Sequence, residues 1–296
     1  MAKLRRNHSS ESKGLQTTFR IVIGVIVATI CIAMAITYFK RISKERTGKT
    51  EDEPIRTYLP SARGEVVHHS HFSLSYLEQH EQAEWVAYTL EREWLEKPRA
   101  ERKDWFETDK KISTGSATYE DYKGSGFSRG HLVPAADMAF DKQVMQETFM
   151  MSNISPQVKA FNSGIWRELE ENVRNWAKMD NQIFVVTGPV LGSTATKKIG
   201  KINKVTVPDL FYKVILDYNG AEKKAMGFII PNELSTRRLE AYMVSVDKVE
   251  ELTGIDFFTY MINDDEEEKL ESNPDPGLWK TDEKKYWLRI NTWNKQ

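Results

Sequence analysis

With 296 residues and a single cysteine at position 31, the chain cannot form an intrachain disulfide or build a cysteine-ligated zinc site. Its 42 Lys+Arg and 43 Asp+Glu are unevenly spread: residues 1–56 hold 11 basic and 5 acidic side chains, which leaves 31 and 38 for the remainder, a formal net of −7. That excludes a domain that tracks nucleic acid through bulk positive charge, so a polyanion would have to be gripped in a locally basic cleft.

Residues 1–20 form a basic polar tail. Residues 21–39 follow as an uncharged run rich in Ile, Val and Ala; at 1.5 Å per helical residue the run reaches roughly 28 Å, about one hydrocarbon core. The expectation is a transmembrane anchor, with a lipid bilayer as partner. Ala33-Met34-Ala35 also has the small-x-small look of a signal-peptide cleavage site, yet the apolar run continues past it to Phe39 and is closed by Lys40-Arg41. Basic residues flank both ends, so charge does not fix the orientation. Residues 40–62, charged, Pro-punctuated and without periodicity, read as a juxtamembrane linker. Residues 63–296 then read as one domain.

His68, His69 and His71 form the most visible histidine cluster, but no further ligand stands at a familiar metal spacing, and a surface position is expected. Around Trp85–Leu90 the alternation of apolar and charged positions predicts a strand. The loop Lys123-Gly124-Ser125-Gly126 lacks the following Lys-Ser/Thr of a nucleotide P-loop.

The centre of the chain is Phe127-Ser128-Arg129-Gly130-His131-Leu132-Val133-Pro134-Ala135-Ala136-Asp137-Met138. Five of the six histidines lie at or before position 80, so imidazole chemistry beyond that point depends on His131. On a strand Arg129 shares its face, and Gly130 leaves room for something bulky against the backbone. A neutral imidazole beside a guanidinium suits phosphate chemistry. Thr148 to Ile154 reads as a short strand, ended by Ser155-Pro156. A helix is expected over Ser163 to Lys178, and Asn162, Trp166, Glu170 and Arg174, spaced by four, would stack along one stripe of it. An amide oxygen, a carboxylate and a guanidinium there would suit a hydrated hard cation and an anionic ligand.

Farther on, Ile183 to Val190, Val205 to Leu216 and Ala225 to Ile230 read as central strands of one sheet, with a hairpin signal at Asp217-Tyr218-Asn219-Gly220. Leu239 to Leu252 has helical spacing and a glycine stop at Gly254. The acidic run 264–268 reads as a solvated loop, and Trp279, Trp287 and Trp293 as packing residues.

Three tracts together resemble the DNA/RNA non-specific endonucleases with a ββα-metal (His-Me finger) core. They are Asp121 to Phe127 with Arg129-Gly130-His131, then Ser152-Asn153-Ile154-Ser155-Pro156-Gln157, then Asn162 with Trp166 and Glu170. One departure is Ser128, where the family signature usually has Asp. The resemblance implies an α+β fold with a central, mostly antiparallel sheet flanked by helices, here with one N-terminal transmembrane helix. It implies a metal-dependent, sequence-independent endonuclease of DNA and/or RNA that leaves 5′-phosphates, with Mg²⁺ as cofactor, Mn²⁺ as a substitute, and no small-molecule cofactor. In that reading His131 is the general base, Asn162 the direct metal ligand, and Glu170 holds metal-bound waters. Arg129, Asn153 and Arg174 would contact the phosphate, and Arg102 falls near a phosphate-contacting arginine of the family. The domain would face away from the cytoplasm; a homodimer is compatible. Ser128 keeps open a catalytically weakened nucleic-acid-binding membrane protein, and a phosphodiesterase for small phosphodiesters is the other alternative.

Overall fold

Side chains that alternate between two apolar sets make this sheet two-faced. The structure, a computed structural model, describes residues 59–295 except 193, 194, 221, 259 and 260. The basic tail, the run at 21–39 and most of the linker lie outside the described residues, among which no helix is long and apolar enough to cross a membrane. The strands are β1 (Glu65–His68), β2 (Ser73–Leu77), β3 (Gln82–Glu91), β4 (Ser128–His131), β5 (Ile154–Gln157), β6 (Gln182–Pro189), β7 (Lys198–Ile199), β8 (Val205–Thr206), β9 (Leu210–Asp217), β10 (Lys224–Pro231) and β11 (Met243–Val244). The helices are α1 (Arg92–Glu96), α2 (Tyr119–Tyr122), α3 (Lys142–Glu147), α4 (Arg167–Asp180), α5 (Val246–Thr253), α6 (Asp264–Ser272) and α7 (Glu283–Asn291).

Seven strands pair in the order β1-β2-β3-β6-β9-β10-β11, every neighbour antiparallel. On β3, Val86, Tyr88 and Leu90 enter one hydrophobic core while Trp85 and Ala87 enter another; β6 and β9 divide in the same way. This is the period of two that sends successive side chains to opposite faces. Helix α4 covers the first face through Leu169, Val173, Trp176 and Ala177, the i, i+4, i+7, i+8 set of one helical stripe. Each fully buried aliphatic there contributes about 1.5–3 kcal/mol. Helix α5 covers the second face through Val246 and Val249. A separate ribbon, β4 with β5, precedes α4.

Several sequence expectations need correction. The tract from Thr148 to Ile154 is not a strand: it closes α3, turns through a 3-10 segment at Met151–Asn153, and becomes extended only at β5. Thr148 bonds the Met145 carbonyl and Asn153 the Thr148 carbonyl, local bonds that compete with a ladder, while Ser152 turns to Asp109. Val205 to Leu216 is two strands in two sheets, divided where Pro208 removes a ladder donor. Leu239 to Leu252 is a 3-10 turn (Leu239–Tyr242), then β11, then α5, which Ser245 starts by accepting from the Lys248 amide at 3.2 Å. Gly254 ends α5 at φ 69°, as the glycine stop predicts. The acidic run is helix α6, capped where the Asn263 side-chain oxygen Oδ1 accepts from the Glu266 amide at 3.1 Å. His69 is buried against Asp109, 3.0 Å from the ring Nε2, and Trp287 is half exposed. Leu59 and Ser61, the last part of the presumed linker, pack on the domain: Trp85 donates to the Ser61 carbonyl at 2.9 Å.

Candidate active site

Strand β4 lays Arg129, Gly130 and His131 opposite Pro156, Ser155 and Ile154 of β5. Gly130 is required by a close approach, since a Cβ there would come within 2.1 Å of the Gln157 side chain lying over it. Beyond it, the His131 ring meets Phe149 edge-on at 4.7 Å and Phe106 at 5.6 Å. Its Nε2 is buried without a hydrogen-bond partner. Burial first, then the positive charges of Arg102 and Arg129, pull the imidazole down to about 3, against the opposing charge of Asp104. The ring is therefore neutral at pH 7 and its basic nitrogen is uncommitted.

The same aromatics seat the cations. The Arg129 guanidinium lies 4.7 Å from the centroid of Phe106 and 4.4 Å from that of Tyr119, and its Nε has no partner. Arg102 lies 5.3 Å from the Phe149 ring and pairs with Asp104 at 2.6 Å. Both members of that pair are exposed, so the pair itself adds little to stability.

The third wall comes from the segment that leads into α4. Phe161–Trp166 is a π-helical turn with a non-helical residue at Gly164, so the predicted single helix over Ser163 to Lys178 is two segments joined at a kink. Such turns insert a residue and re-aim the side chains around them. The four-residue stripe divides accordingly: Asn162 and Glu170 line the cavity, Trp166 stacks in the core against Phe161 at 5.2 Å, and Arg174 turns to Asp137. One 310 Å³ cavity is lined by His131, Arg129, Ser128, Arg102, Asp104, Phe106, Asn162 and Glu170, with the Pro134–Ala136 backbone turn.

Two predicted site residues are not in its lining. Asn153 is fully buried and its amide is consumed by main chain: its oxygen accepts from the Val133 amide at 2.9 Å, and its nitrogen donates to the Val133 and Thr148 carbonyls at 3.1 and 2.8 Å. The phosphate contact expected of it is thus corrected to a clamp on the turns behind His131. Arg174, largely buried, donates to Asp137 at 2.7 Å; Asp137 also accepts from the Tyr88 hydroxyl at 2.9 Å. This tie joins the loop after His131 to the helix bearing Glu170 and engages one guanidinium nitrogen of Arg174.

Sequence reasoning missed Asp137, Tyr88 and Lys213 as members of this network. Lys213 is fully buried on the α4 side of β9, its Nζ 4.9 Å from the Trp166 ring centroid and without a hydrogen-bond partner. Burial lowers the Lys213 ammonium, against Glu170 and Asp137; burial raises the Glu170 carboxyl, against Arg174 and Lys213. A lysine amid Phe211, Tyr212, Val214 and Ile215 was the available signal. The aromatic seats Phe106, Tyr119 and Phe149 carried none, because aromatic residues occur throughout the chain.

The oxygen donors on the wall are the Asn162 amide, the Glu170 carboxylate, the Ser128 hydroxyl and the Asp104 carboxylate, the last already paired to Arg102. With the uncommitted Nε2 of His131 across the cavity, that set fits a hard cation held by few protein atoms and mostly water. It does not fit a cage of several carboxylates.

Comparison with known proteins agrees with this geometry. The family profile described as DNA/RNA non-specific endonuclease matches residues 54–263. A nuclease from Nostoc sp. (strain PCC 7120 / SAG 25.82 / UTEX 2576) is 36% identical over 200 residues, covering 64% of this chain and 71% of its own. Mitochondrial nuclease EXOG from Homo sapiens is 31% identical over 265 residues, covering 81% of this chain and 72% of its own. Among solved structures, the EndoG/EndoGI complex, a study of EndoG inhibition, superposes with a TM-score of 0.61 at 32% identity, covering 68% of this chain and 87% of that one.

Proposed function

Since the chain belongs to the DNA/RNA non-specific endonuclease family and is therefore a hydrolytic endonuclease of nucleic acids, we propose that its ββα core, β4-β5-α4, cleaves phosphodiesters with His131 as general base. The single observation that carries this reading is the convergence of His131, Arg129 and Asn162 on one cavity, though 33 positions separate Arg129 from Asn162.

In this mechanism the neutral imidazole accepts a proton at Nε2 from the attacking water. The depressed basicity of His131 keeps it unprotonated before the attack, and Phe106 and Phe149 fix the ring plane. Arg129 and Arg102 present guanidinium groups to the phosphate oxygens and to the charge that grows on them. Their local positive charge offsets a domain that is acidic as a whole. Asn162 would hold Mg²⁺ and Glu170 would orient its waters; when bound, the ion supplies charge stabilisation at the phosphoryl group and the departing 3′ oxygen. Mn²⁺ would serve in its place, and the products would carry 5′-phosphates. Ser128 on the cavity wall contributes no charge where the family usually has a carboxylate, so the arginines act without a competing anion at that position.

The test is cleavage of plasmid DNA, structured RNA and a small phosphodiester by the full-length protein in Mg²⁺ and in EDTA, beside His131→Ala and Asn162→Ala. Both variants and the chelated sample should lose cleavage by about 10²-fold or more. Undiminished activity of His131→Ala defeats the proposal, and preference for the small ester redirects it to another substrate class. The uncharged run 21–39 further supports a membrane tether; an orientation with the N-terminus cytoplasmic and the nuclease domain extracytoplasmic follows the usual habitat of the family and not the charge pattern. Extraction of the full-length protein from membranes by alkaline carbonate alone would count against it.

A further inference from the structure

On the sheet face opposite the cavity, α5 and α6 bring together three carboxylates. Asp247 and Glu250, three residues apart on one stripe of α5, and Glu271 on α6 each place an oxygen within 4.8 Å of the others. Clusters of this kind are common on exposed surfaces, where water screens the repulsion. This one is different because Glu271 is only 5% exposed and its Oε1 has no hydrogen-bond partner.

Among the described residues no hydrogen-bond donor meets Glu271 Oε1. Burial, then the negative charges of Glu250, Glu267, Asp247 and Asp256, push its carboxyl up to about 9. Glu250 has one donor, the Phe257 amide at 2.8 Å, and is itself raised by burial and by Asp256 and Asp247. Lys248 pairs with Glu251 at 2.6 Å and Lys223 with Glu266 at 2.5 Å, and among the described residues no ion pair joins a lysine to Glu271. A buried carboxylate facing only carboxylates must acquire a proton or a cation. A single proton quenches one charge of three, whereas a hard divalent ion satisfies all three oxygens and leaves the exposed Asp247 side open to water.

We propose that Asp247, Glu250 and Glu271 form a second divalent-cation site, of calcium type, that clamps α6 onto α5. Calcium suits it because the donors are oxygens only, come from two separate helices and impose no octahedral regularity. Val246 and Val249, which flank the acidic residues on α5, belong to the second core, to which none of the residues lining the catalytic cavity belongs. The site is therefore a structural one, and cleavage does not pass through it.

The experiment is thermal unfolding of the full-length protein in EDTA and with added CaCl₂, with equilibrium dialysis of ⁴⁵Ca²⁺. Asn162→Ala serves as a background in which calcium at the catalytic cavity is weakened. At about 100-fold excess over the dissociation constant, Ca²⁺ should raise the midpoint by roughly 5–10 °C in both the wild type and Asn162→Ala. Dialysis should retain one ion per Asn162→Ala chain. Asp247→Asn, an exposed change with little risk to folding, should lose most of the shift, and Glu271→Gln all of it. In EDTA, Glu271→Gln should melt at or above the wild type, because the amide carries no buried charge. A wild type indifferent to Ca²⁺, or a full shift surviving in Asp247→Asn, overturns the proposal. Mg²⁺-supported cleavage by Glu271→Gln should match the wild type, so this test fails or succeeds separately from the catalytic reading.

Discussion

Asn153 separates a residue that touches substrate from one that shapes the wall behind the site. Replacing it by alanine deletes three hydrogen bonds, one from the Val133 amide and two to the Val133 and Thr148 carbonyls, all in a fully buried position. At about 1 kcal/mol for each bond, with a further cost for a buried amide left unsatisfied, the loss is roughly 3–5 kcal/mol. For a domain of this size the unfolding midpoint should fall by roughly 10 °C. Asn153→Asp should not rescue it: a carboxylate keeps the acceptor for Val133 but turns a negative oxygen toward two carbonyls. The assay pairs a thermal melt with DNA cleavage measured well below both midpoints. Cleavage there should fall mainly in kcat, through displacement of His131, with KM little changed. If Asn153→Ala melts with the wild type while KM for DNA rises sharply, the clamp is wrong and the amide contacts the nucleic acid after all.

Other outcomes follow from the same geometry. Arg174→Met leaves the Asp137 carboxylate buried with only Tyr88 as donor, and should cost about 3–5 kcal/mol in thermal or urea unfolding. The double variant Asp137→Asn/Arg174→Met should cost less than the sum of its single changes, and strict additivity would show the pair uncoupled. Because His131 is depressed to about 3 from an unfolded value near 6.5, the unfolded chain binds the extra proton first as the pH falls. Stability should therefore decline from about pH 6.5 toward 3, and His131→Gln should flatten that decline in melts run across the range. Arg129→Lys keeps the charge but loses the planar stacking on Phe106 and Tyr119. It should lower cleavage by roughly 10-fold or more with the midpoint nearly unchanged, and full activity would mean that charge alone suffices.

Chemistry-bearing residues were legible where their type is rare or their spacing regular. His131 stood alone, and Asn162 and Glu170 kept a helical interval that survives the π-helical turn well enough for both to reach the cavity. Strand β3 was legible from its alternation, and β6, β9 and β10 from apolar runs rich in Val, Ile and Phe between turn residues, each strand being eight or ten residues long. The short elements were not. Met151–Asn153 is held by the Asn153 amide on distant and local backbone, and Leu239–Tyr242 by side-chain bonds from Ser235 and Thr281, none of which a window of apolar residues registers. The partners of Asn153 and Arg174 were hidden for a related reason: a sequence shows the groups that could bind phosphate but not Val133 and Thr148, which take up the whole Asn153 amide, or Asp137, which holds Arg174. His69 illustrates the same limit, since its partner Asp109 lies 40 residues away.

The seating of Leu59 and Ser61 fixes where the chain joins the domain. Leu59 packs on the second core, and Ser61 is held between Trp85 and Asp256, whose backbone amide donates to its hydroxyl at 2.8 Å. The first described residues thus belong to the second core, on the sheet face that α5 covers, and a domain shortened past Ser61 would leave the Trp85 indole without its acceptor.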